Sequence, residues 1–190
     1  MTHEVIMAGF GGQGVLSMGT LLAYAGMVEG KKVSWMPSYG PEMRGGAANC
    51  HVIVSDEPVA SPMVTEATAL IAMSRPALEK FEGLLRPGGL LIINTSMVDV
   101  RPGRKDVTVL ELPVNDMAME LGSEKVANMI ALGAFLEVTG AVSRDSVVES
   151  LKKALPAHRH SLIPMNKEAL RKGGEAAAGA LKRQHGTPGC

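Results

Sequence analysis

The hydrophobic positions of this chain change their spacing near residue 115. Before that point they form short apolar runs that end in glycine, proline or charged residues. Runs of this kind are typical of strands that are buried on both faces of a sheet. The runs that predict strands are residues 4–8, 32–36, 47–55, 68–74, 90–95 and 107–114. Pro37 is expected to end the second of these strands.

Helices are predicted between these strands and after the last of them. The apolar segment 13–28 predicts a buried helix, and Pro76 predicts the start of another that ends near residue 85. Beyond residue 115 the apolar positions recur with helical spacing. Residues that can cap helices introduce each further segment, and they are Asn115 or Asp116, Ser123, Ser143 or Asp145, and Asn166.

Strands that alternate with helices favour an α/β fold. We predict a three-layer, doubly wound, mostly parallel sheet (Rossmann-like) with additional C-terminal helices. The length of 190 residues is ordinary for one domain with a hydrophobic core of its own. We therefore predict a single domain over residues 1–183 and a disordered tail over residues 184–190.

Composition removes several functional classes. Lysine and arginine number 19, as do aspartate and glutamate, so the basic excess of a nucleic-acid-binding or acidic-membrane-binding protein is missing. The two cysteines, Cys50 and Cys190, are too few for a disulfide framework or for a metal centre of several thiolates. The sequence contains no long uncharged apolar run, and a cytoplasmic location is predicted. The charge is nevertheless uneven, because residues 144–190 hold nine basic and four acidic side chains.

A glycine-rich turn follows the first predicted strand. Residues 9–14 (GFGGQG) match the pattern G-x-G-x-x-G between a strand and a helix, where free backbone N–H groups favour an anion. A dinucleotide site also needs an acidic residue after the second strand, and residues 34–38 (SWMPS) contain none. Three interpretations stay open: a dinucleotide site, a turn needed only for packing, or contact with another anion or a partner's cofactor. The candidate binding residues are Gly9, Gly11, Gly12, Gln13 and Gly14.

A second loop, residues 38–46 (SYGPEMRGG), is expected at the same edge of the sheet. Tyr39 can stack or donate a hydrogen bond, and Arg44 can grip a carboxylate or phosphate with two hydrogen bonds. The alternative is an internal ion pair between Glu42 and Arg44 on a solvated loop. The candidate substrate or interface residues are Ser38, Tyr39, Gly40, Glu42, Arg44, Gly45 and Gly46.

These motifs together carry a family resemblance. Residues 9–15 (GFGGQGV), 38–46 (SYGPEMRGG) and 48–50 (ANC) resemble the gamma subunit of the 2-oxoacid:ferredoxin oxidoreductases. The resemblance spans about residues 4 to 165. Within the family, the form of residues 41–50 is more similar to the 2-oxoglutarate or branched-chain 2-oxoacid enzymes than to the pyruvate enzymes.

The resemblance implies a subunit of an enzyme that converts a 2-oxoacid and coenzyme A to acyl-coenzyme A and carbon dioxide, with ferredoxin as electron acceptor. It implies partner alpha and beta subunits, with a ferredoxin-like delta subunit as a further candidate. Thiamine diphosphate, magnesium and iron–sulfur clusters are expected on those partners. This chain is expected to hold no cofactor, metal or catalytic residue of its own, to be inactive alone, and to form a homodimer when isolated.

Other candidates have simpler explanations. Cys50 and His51 are neighbours in a predicted strand, so their side chains point to opposite faces and Cys50 is interpreted as a buried structural residue. Residues 158–160 (HRH), with Lys152 and Lys153, form a cationic patch that is either a docking site for an acidic surface or coenzyme A, or a solvated helix end. Two alternative functions stay open: a self-sufficient NAD(P)- or FAD-binding oxidoreductase, and a purely structural interaction module.

Overall fold

The computed structural model describes residues 1–39 and 46–185. Its strands are close to the predicted ones, although several are longer. They are β1 (Thr2–Phe10), β2 (Lys32–Tyr39), β3 (Ala47–Ser55), β4 (Ala67–Ala72), β5 (Leu85–Asn94) and β6 (Thr108–Leu112).

The strands of the described residues form one sheet with the order β2-β3-β1-β4-β5-β6. β1, β4, β5 and β6 are parallel to their neighbours, whereas β3 is antiparallel to both β1 and β2. β2 therefore runs in the direction of β1, and its carboxyl end lies at the same edge. The predicted α/β class and mostly parallel sheet are confirmed, with β3 as the one strand of reversed direction.

The helices confirm the helical C-terminal third, but some of them begin at other residues than predicted. They are α1 (Val15–Val28), α2 (Arg75–Phe81), α3 (Val114–Glu120), α4 (Ala127–Thr139), α5 (Arg144–Ala154) and α6 (Ile163–His185). Ser143 caps α5 as predicted, since its side chain accepts a hydrogen bond from the N–H of Ser146. Pro113, rather than Asn115 or Asp116, precedes α3. α6 begins three residues before Asn166.

The sheet is covered on both faces, which gives three layers. α1, α4 and α6 pack on one face in a large aliphatic core that includes Val5, Val52 and Ile92. α2 covers the opposite face, where a smaller core includes Ile6 and Leu91. Consecutive residues of the central strands thus belong to different cores, because successive side chains of a strand point to opposite faces.

Two prolines lie inside strands where the sequence predicted interruption. β2 continues through Pro37 to Tyr39. It is an edge strand in the described sheet, where the missing N–H of a proline is tolerated. β5 begins at Leu85 and contains Pro87, and its pairing with β4 shifts register between Leu85 and Leu90. A local irregularity therefore absorbs the segment that was predicted to be a turn.

The last helix is longer than the sequence indicated. α6 passes through Gly173 and Gly174 and ends at His185. Gln184 near its end donates a hydrogen bond from Nε2 to the backbone oxygen of Val109 in β6, over 2.7 Å. Two residues of the predicted tail thus belong to α6, and residues 186–190 lie outside the described residues. Among the helices described, none is long and apolar enough to cross a membrane.

Candidate functional site

The carboxyl ends of β1 and β4 lie side by side in the centre of the sheet. The chain leaves β1 for α1 on one face of the sheet, and leaves β4 for α2 on the other. The point at which connections diverge to opposite faces opens a crevice at this edge, and ligands of doubly wound sheets bind there. The glycine turn, residues 9–14, includes the last two residues of β1 and lies at this switch point.

Hydrogen bonds within the chain occupy much of the glycine turn. The side chain of Gln13 accepts a hydrogen bond at Oε1 from the N–H of Phe10 (2.6 Å) and donates one from Nε2 to the oxygen of Met73 (3.0 Å). The N–H of Gln13 donates to the oxygen of Phe10 (3.2 Å). A phosphate placed in the turn would compete with these bonds, so the turn is partly filled by its own glutamine.

The glycines of the turn have different roles from those expected. Gly12 and Gly14 have positive φ values of 93° and 72°, which favour glycine. A Cβ on Gly14 would lie 2.6 Å from Nδ2 of Asn128, in the first turn of α4. The last glycine of this motif is expected to allow close packing of the helix on the strand, but the close neighbour of Gly14 is another helix, α4. A Cβ on Gly9 would lie 2.8 Å from Cβ of Met73, so Gly9 allows the close approach of β1 to the chain after β4.

The crevice has a volume of about 300 Å³, and its walls include polar as well as apolar side chains. Asn94, the last residue of β5, donates from Nδ2 to Oδ1 of Asn115 (2.8 Å) and to the oxygen of Met73 (3.3 Å). Asn115 in turn donates to Oε1 of Glu124 (2.8 Å). The exposed Lys125 also lines the crevice, and within the described residues its ammonium has no carboxylate partner. The edge therefore offers both hydrogen-bonding groups and a free positive charge.

No pattern in the sequence indicated that Asn94, Asn115 and Lys125 would lie at this edge. They follow or belong to different elements, β5, α3 and the turn before α4, so no local motif links them. A signal was available for Asn94, because a polar residue at the carboxyl end of a buried parallel strand faces the ligand-binding edge.

The second loop begins and ends at this same edge. Phe10 of β1 is paired with Ala47 of β3, and Tyr39 of β2 with Ala48. The N–H of Gly11 donates to the oxygen of Gly46 over 2.8 Å, which joins the glycine turn to the end of the second motif. Gly40, Glu42, Arg44 and Gly45 lie outside the described residues, as does the side chain of Tyr39. The pairing of Glu42 with Arg44 therefore stays a prediction.

Comparison with known proteins places the chain in a family. Residues 4–176 match the family described as pyruvate ferredoxin/flavodoxin oxidoreductase. The chain belongs to this family. The family resemblance seen in the two motifs is thereby confirmed.

Named relatives of this family member fall into two length classes. The ketoisovalerate oxidoreductase subunit VorA of Methanothermobacter marburgensis is 37% identical over 92% of the chain, but the chain spans only 36% of that relative. The 2-oxoglutarate synthase subunit KorC of Methanocaldococcus jannaschii is 33% identical over 82% of the chain and 85% of its own length. The chain thus corresponds to a whole small subunit in one class and to about a third of a longer polypeptide in the other.

Two solved structures share the fold. The gamma subunit of a keto/oxoacid ferredoxin oxidoreductase from Geobacter sulfurreducens has a TM-score of 0.83 and 32% identity, with 95% of this chain and 98% of that chain covered. A 2-oxoglutarate:ferredoxin oxidoreductase from Magnetococcus marinus, solved with 2-oxoglutarate, coenzyme A and succinyl-CoA bound, has a TM-score of 0.85 and 26% identity. In that case 94% of this chain matches 31% of the other. The agreement with the gamma subunit over nearly its whole length confirms the expected subunit type.

The described residues do not fit an iron–sulfur cluster. Cys50 is buried, its Sγ donates to the oxygen of Val15 (3.7 Å), and burial raises the pKa of its thiol to about 12. His51 points to the other face, where its Nδ1 accepts a hydrogen bond from the N–H of Val64 (3.1 Å). No group of three or more histidine, cysteine or acidic side chains in the described part of the chain is suited to a metal ion. Cys50 is buried, as predicted.

The cationic patch is on the surface in this family member. Residues 158–160 belong to a 3-10 helix, Ala157–Leu162, and their side chains are exposed. His160 contacts the oxygen of Leu155 through Nε2 (2.9 Å), and Lys152 pairs with Glu149 (3.4 Å). Arg159 has no carboxylate partner within the described residues. The patch is therefore a partly neutralised end of a helical segment in which one guanidinium is unpaired.

Proposed function

We propose that this chain is the gamma-type component of a cytoplasmic, multi-subunit 2-oxoacid:ferredoxin oxidoreductase. The complete enzyme would convert a 2-oxoacid anion and coenzyme A to acyl-coenzyme A, carbon dioxide and a proton. The two electrons released would pass through iron–sulfur centres to ferredoxin. The chain alone would be inactive, because the thiamine diphosphate, magnesium and iron–sulfur clusters of such an enzyme would belong to alpha, beta or delta partners.

The observation that carries this proposal is the hydrogen bond between the N–H of Gly11 and the oxygen of Gly46. It ties the two motifs of the family resemblance to a single edge of the sheet, at the switch point where doubly wound folds bind ligands. The glycine turn is already bonded internally through Gln13. We therefore propose that this edge completes a partner's substrate site rather than holding a nucleotide of its own.

Within that assembled site the chain's own groups would bind and orient. Arg44 would pair with a carboxylate or phosphate through two charge-assisted hydrogen bonds, and Lys125 would add positive charge at the crevice. Asn115 would hold the crevice wall in place, because its side chain bridges Asn94 and Glu124. Neither bond making nor electron transfer is assigned to these residues.

The proposed substrate is 2-oxoglutarate or a branched-chain 2-oxoacid. Relatives named as ketoisovalerate oxidoreductase and 2-oxoglutarate synthase subunits are 37% and 33–38% identical to this chain. A relative named as a pyruvate synthase subunit is 30% identical. The order of these identities favours the larger 2-oxoacids over pyruvate.

The test is anaerobic purification of the tagged chain from its native host, followed by identification of the co-purified subunits and assay of 2-oxoacid-dependent ferredoxin reduction. We expect thiamine- and iron–sulfur-binding partners and activity with 2-oxoglutarate or 2-oxoisovalerate. The absence of any such partner would overturn the subunit assignment.

The role of the edge is tested by Arg44→Ala in the purified complex. We expect kcat/KM for the 2-oxoacid or coenzyme A to fall about tenfold or more, because a charge-assisted hydrogen bond is lost. Arg44→Lys should recover part of the loss, and Arg101→Ala, on another loop, should have no effect. Unchanged turnover of an intact Arg44→Ala complex would instead favour a purely structural interaction module.

A further inference from the structure

A groove lies between α1 and the end of α5, and one end of it adjoins the crevice at the switch point. It consists of two adjoining cavities of about 230 and 340 Å³. Both cavities are lined by Ser17 and Leu21 of α1 and by Leu151 and Leu155 at the end of α5. Their combined size is within the range of pockets that hold small molecules.

The walls of this groove are mainly apolar. Leu21 and Leu151 are buried in the floor, and Leu155 packs against the same core. Each end carries a large apolar side chain that is unusually exposed: Leu162 at one end (45%) and Trp35 at the other (38%). Such exposure leaves apolar surface available to a ligand.

One end of the groove is positively charged. Lys125 and Arg159 both line the 230 Å³ cavity, and neither has a carboxylate partner in the described part of the chain. Neighbouring cations differ, since Lys152 pairs with Glu149 and Arg171 pairs with Glu168 and Glu175.

A buried amide lies at the same charged end. Asn128, only 7% exposed, lines this cavity and donates from Nδ2 to the oxygen of Gly14 (3.2 Å). Its Oδ1 is buried without a partner among the described residues, and an unsatisfied buried acceptor is unusual in a folded protein.

We propose that this groove binds an amphipathic anion, a single acyl chain with a carboxylate or phosphate head group. The head group pairs with Lys125 and Arg159, close to the first turn of α1, whose backbone dipole also favours negative charge. The acyl chain of the ligand lies along Leu21, Leu151 and Leu155 towards Trp35. An apolar floor with charge at only one end selects a ligand that has both parts, since neither a bare anion nor a bare hydrocarbon satisfies both ends.

The groove adjoins the edge that is proposed to complete a partner's substrate site. Lys125 lines both the groove and the switch-point crevice, and Asn128 bonds to the residue that precedes α1. A ligand in the groove would therefore change the surroundings of Lys125 and Asn128, which adjoin the glycine turn.

The experiment uses octanoate, below its micelle concentration, as the probe for the full purified chain. Trp35 is the only tryptophan of the sequence, so its fluorescence reports on the groove directly. We expect a saturable shift of its emission with octanoate, no shift with inorganic phosphate or acetate, and a much weaker response to 1-octanol. Vesicles of anionic lipid should give no shift, which distinguishes a free acyl anion from a membrane surface.

Variants locate the head group. Arg159→Ala should weaken octanoate binding about tenfold, since a charged hydrogen bond is lost, and Arg159→Lys should retain most of the affinity. Lys153→Ala is the matched control, because this cation is close in sequence but does not line the groove. Thermal unfolding of each variant establishes that it is folded. An equal response to octanol and octanoate, unchanged binding in Arg159→Ala, or the lack of saturation would each overturn the proposal.

Discussion

Two places in this molecule depend on glycine, and they look very different in the sequence. The turn after β1 has the spacing of a ligand-binding motif, whereas Gly133 of α4 and Gly173 of α6 are ordinary glycines in helices. In the structure Gly133 and Gly173 permit the closest contact between the backbones of two elements, α4 and α6. A Cβ on Gly133 would overlap the backbone of Leu170, and a Cβ on Gly173 would overlap that of Ile130. The inconspicuous glycines are thus the ones that set the crossing of α4 and α6.

The two groups of glycines contribute to the fold in different ways. In the turn, Gly12 and Gly14 supply backbone angles, and the space beside Gly12 is open. At the crossing, the glycines have helical angles and supply only the absence of a side chain. Alanine in the turn would cost a moderate strain energy, whereas alanine at the crossing would force the two helices apart. Four measurements test this distinction, in order of decreasing expected effect.

Gly133→Ala or Gly173→Ala is expected to give the largest loss of stability. The new methyl group would meet backbone atoms of the facing helix, so the free energy of unfolding should fall by about 3 kcal/mol. Urea denaturation followed by circular dichroism measures this change. Gly179→Ala is the matched control in α6, since its nearest atom would be 3.9 Å away, and it should stabilise the protein by up to about 1 kcal/mol. Equal effects at Gly173 and Gly179 would refute the backbone contact.

Gly14→Ala should have a smaller effect than a substitution at the helix crossing. Its positive φ alone costs about 1–2 kcal/mol, and the contact with the flexible side chain of Asn128 adds a little more. Gly12→Ala, with a positive φ and no contact, should cost about 1 kcal/mol. The same denaturation experiment separates strain from contact, and the reverse order of the two variants would contradict the assigned roles.

Gln13→Ala tests whether the turn is held by its own glutamine. The N–H of Phe10 would lose its acceptor, and the oxygen of Met73 would keep only its hydrogen bond from Asn94, so stability should fall by about 1 kcal/mol. Amide hydrogen exchange of Phe10 should become faster. Gln13→Glu retains an acceptor for Phe10 but no donor for Met73, and Phe10 should therefore stay protected in that variant. Unchanged exchange in Gln13→Ala would show that the turn is held by other bonds.

The pH dependence of stability should show the smallest effect. It also gives a slope that can be compared between the glycine variants and the unaltered chain. Burial lowers the pKa of His51 below its ordinary value of 6.5, so the folded state favours the neutral ring. The stability that this provides is complete above pH 6.5 and is lost as the pH falls through the lowered pKa. The imidazole is only partly buried, so the loss should stay below about 1 kcal/mol. His51→Gln should reduce the slope of stability against pH.

His51 lies on the opposite face of the sheet from α1 and α4, in contact with Phe81. The slope should therefore be the same in Gly12→Ala and Gly133→Ala as in the unaltered chain, because distant sites contribute additively. A changed slope in either glycine variant would show that the two faces are coupled.

Much of the fold could be predicted from local patterns. The apolar runs of β1 and β3 and the capping serine of α5 are properties of short segments, and each was located within a few residues. The reversed direction of β3 could not be predicted, because an apolar run has the same pattern in either direction. The continuation of β2 through Pro37 depends on its position at the sheet edge, which is a property of the whole sheet.

The candidate site divides in the same way. The family resemblance, the glycine turn and the loop after β2 could be recognised from the sequence alone, because each depends on motifs of neighbouring residues. The folded chain brings Gln13 into the turn and places Asn115 and Lys125 in the same crevice, where the buried Asn94 holds Asn115 by a hydrogen bond. Gly173 has a low intrinsic helix propensity, yet its missing side chain is what lets α6 pack on α4. Helix propensity is a local free energy, whereas the packing of the two backbones depends on residues that are far apart in the sequence, such as Gly173 and Ile130.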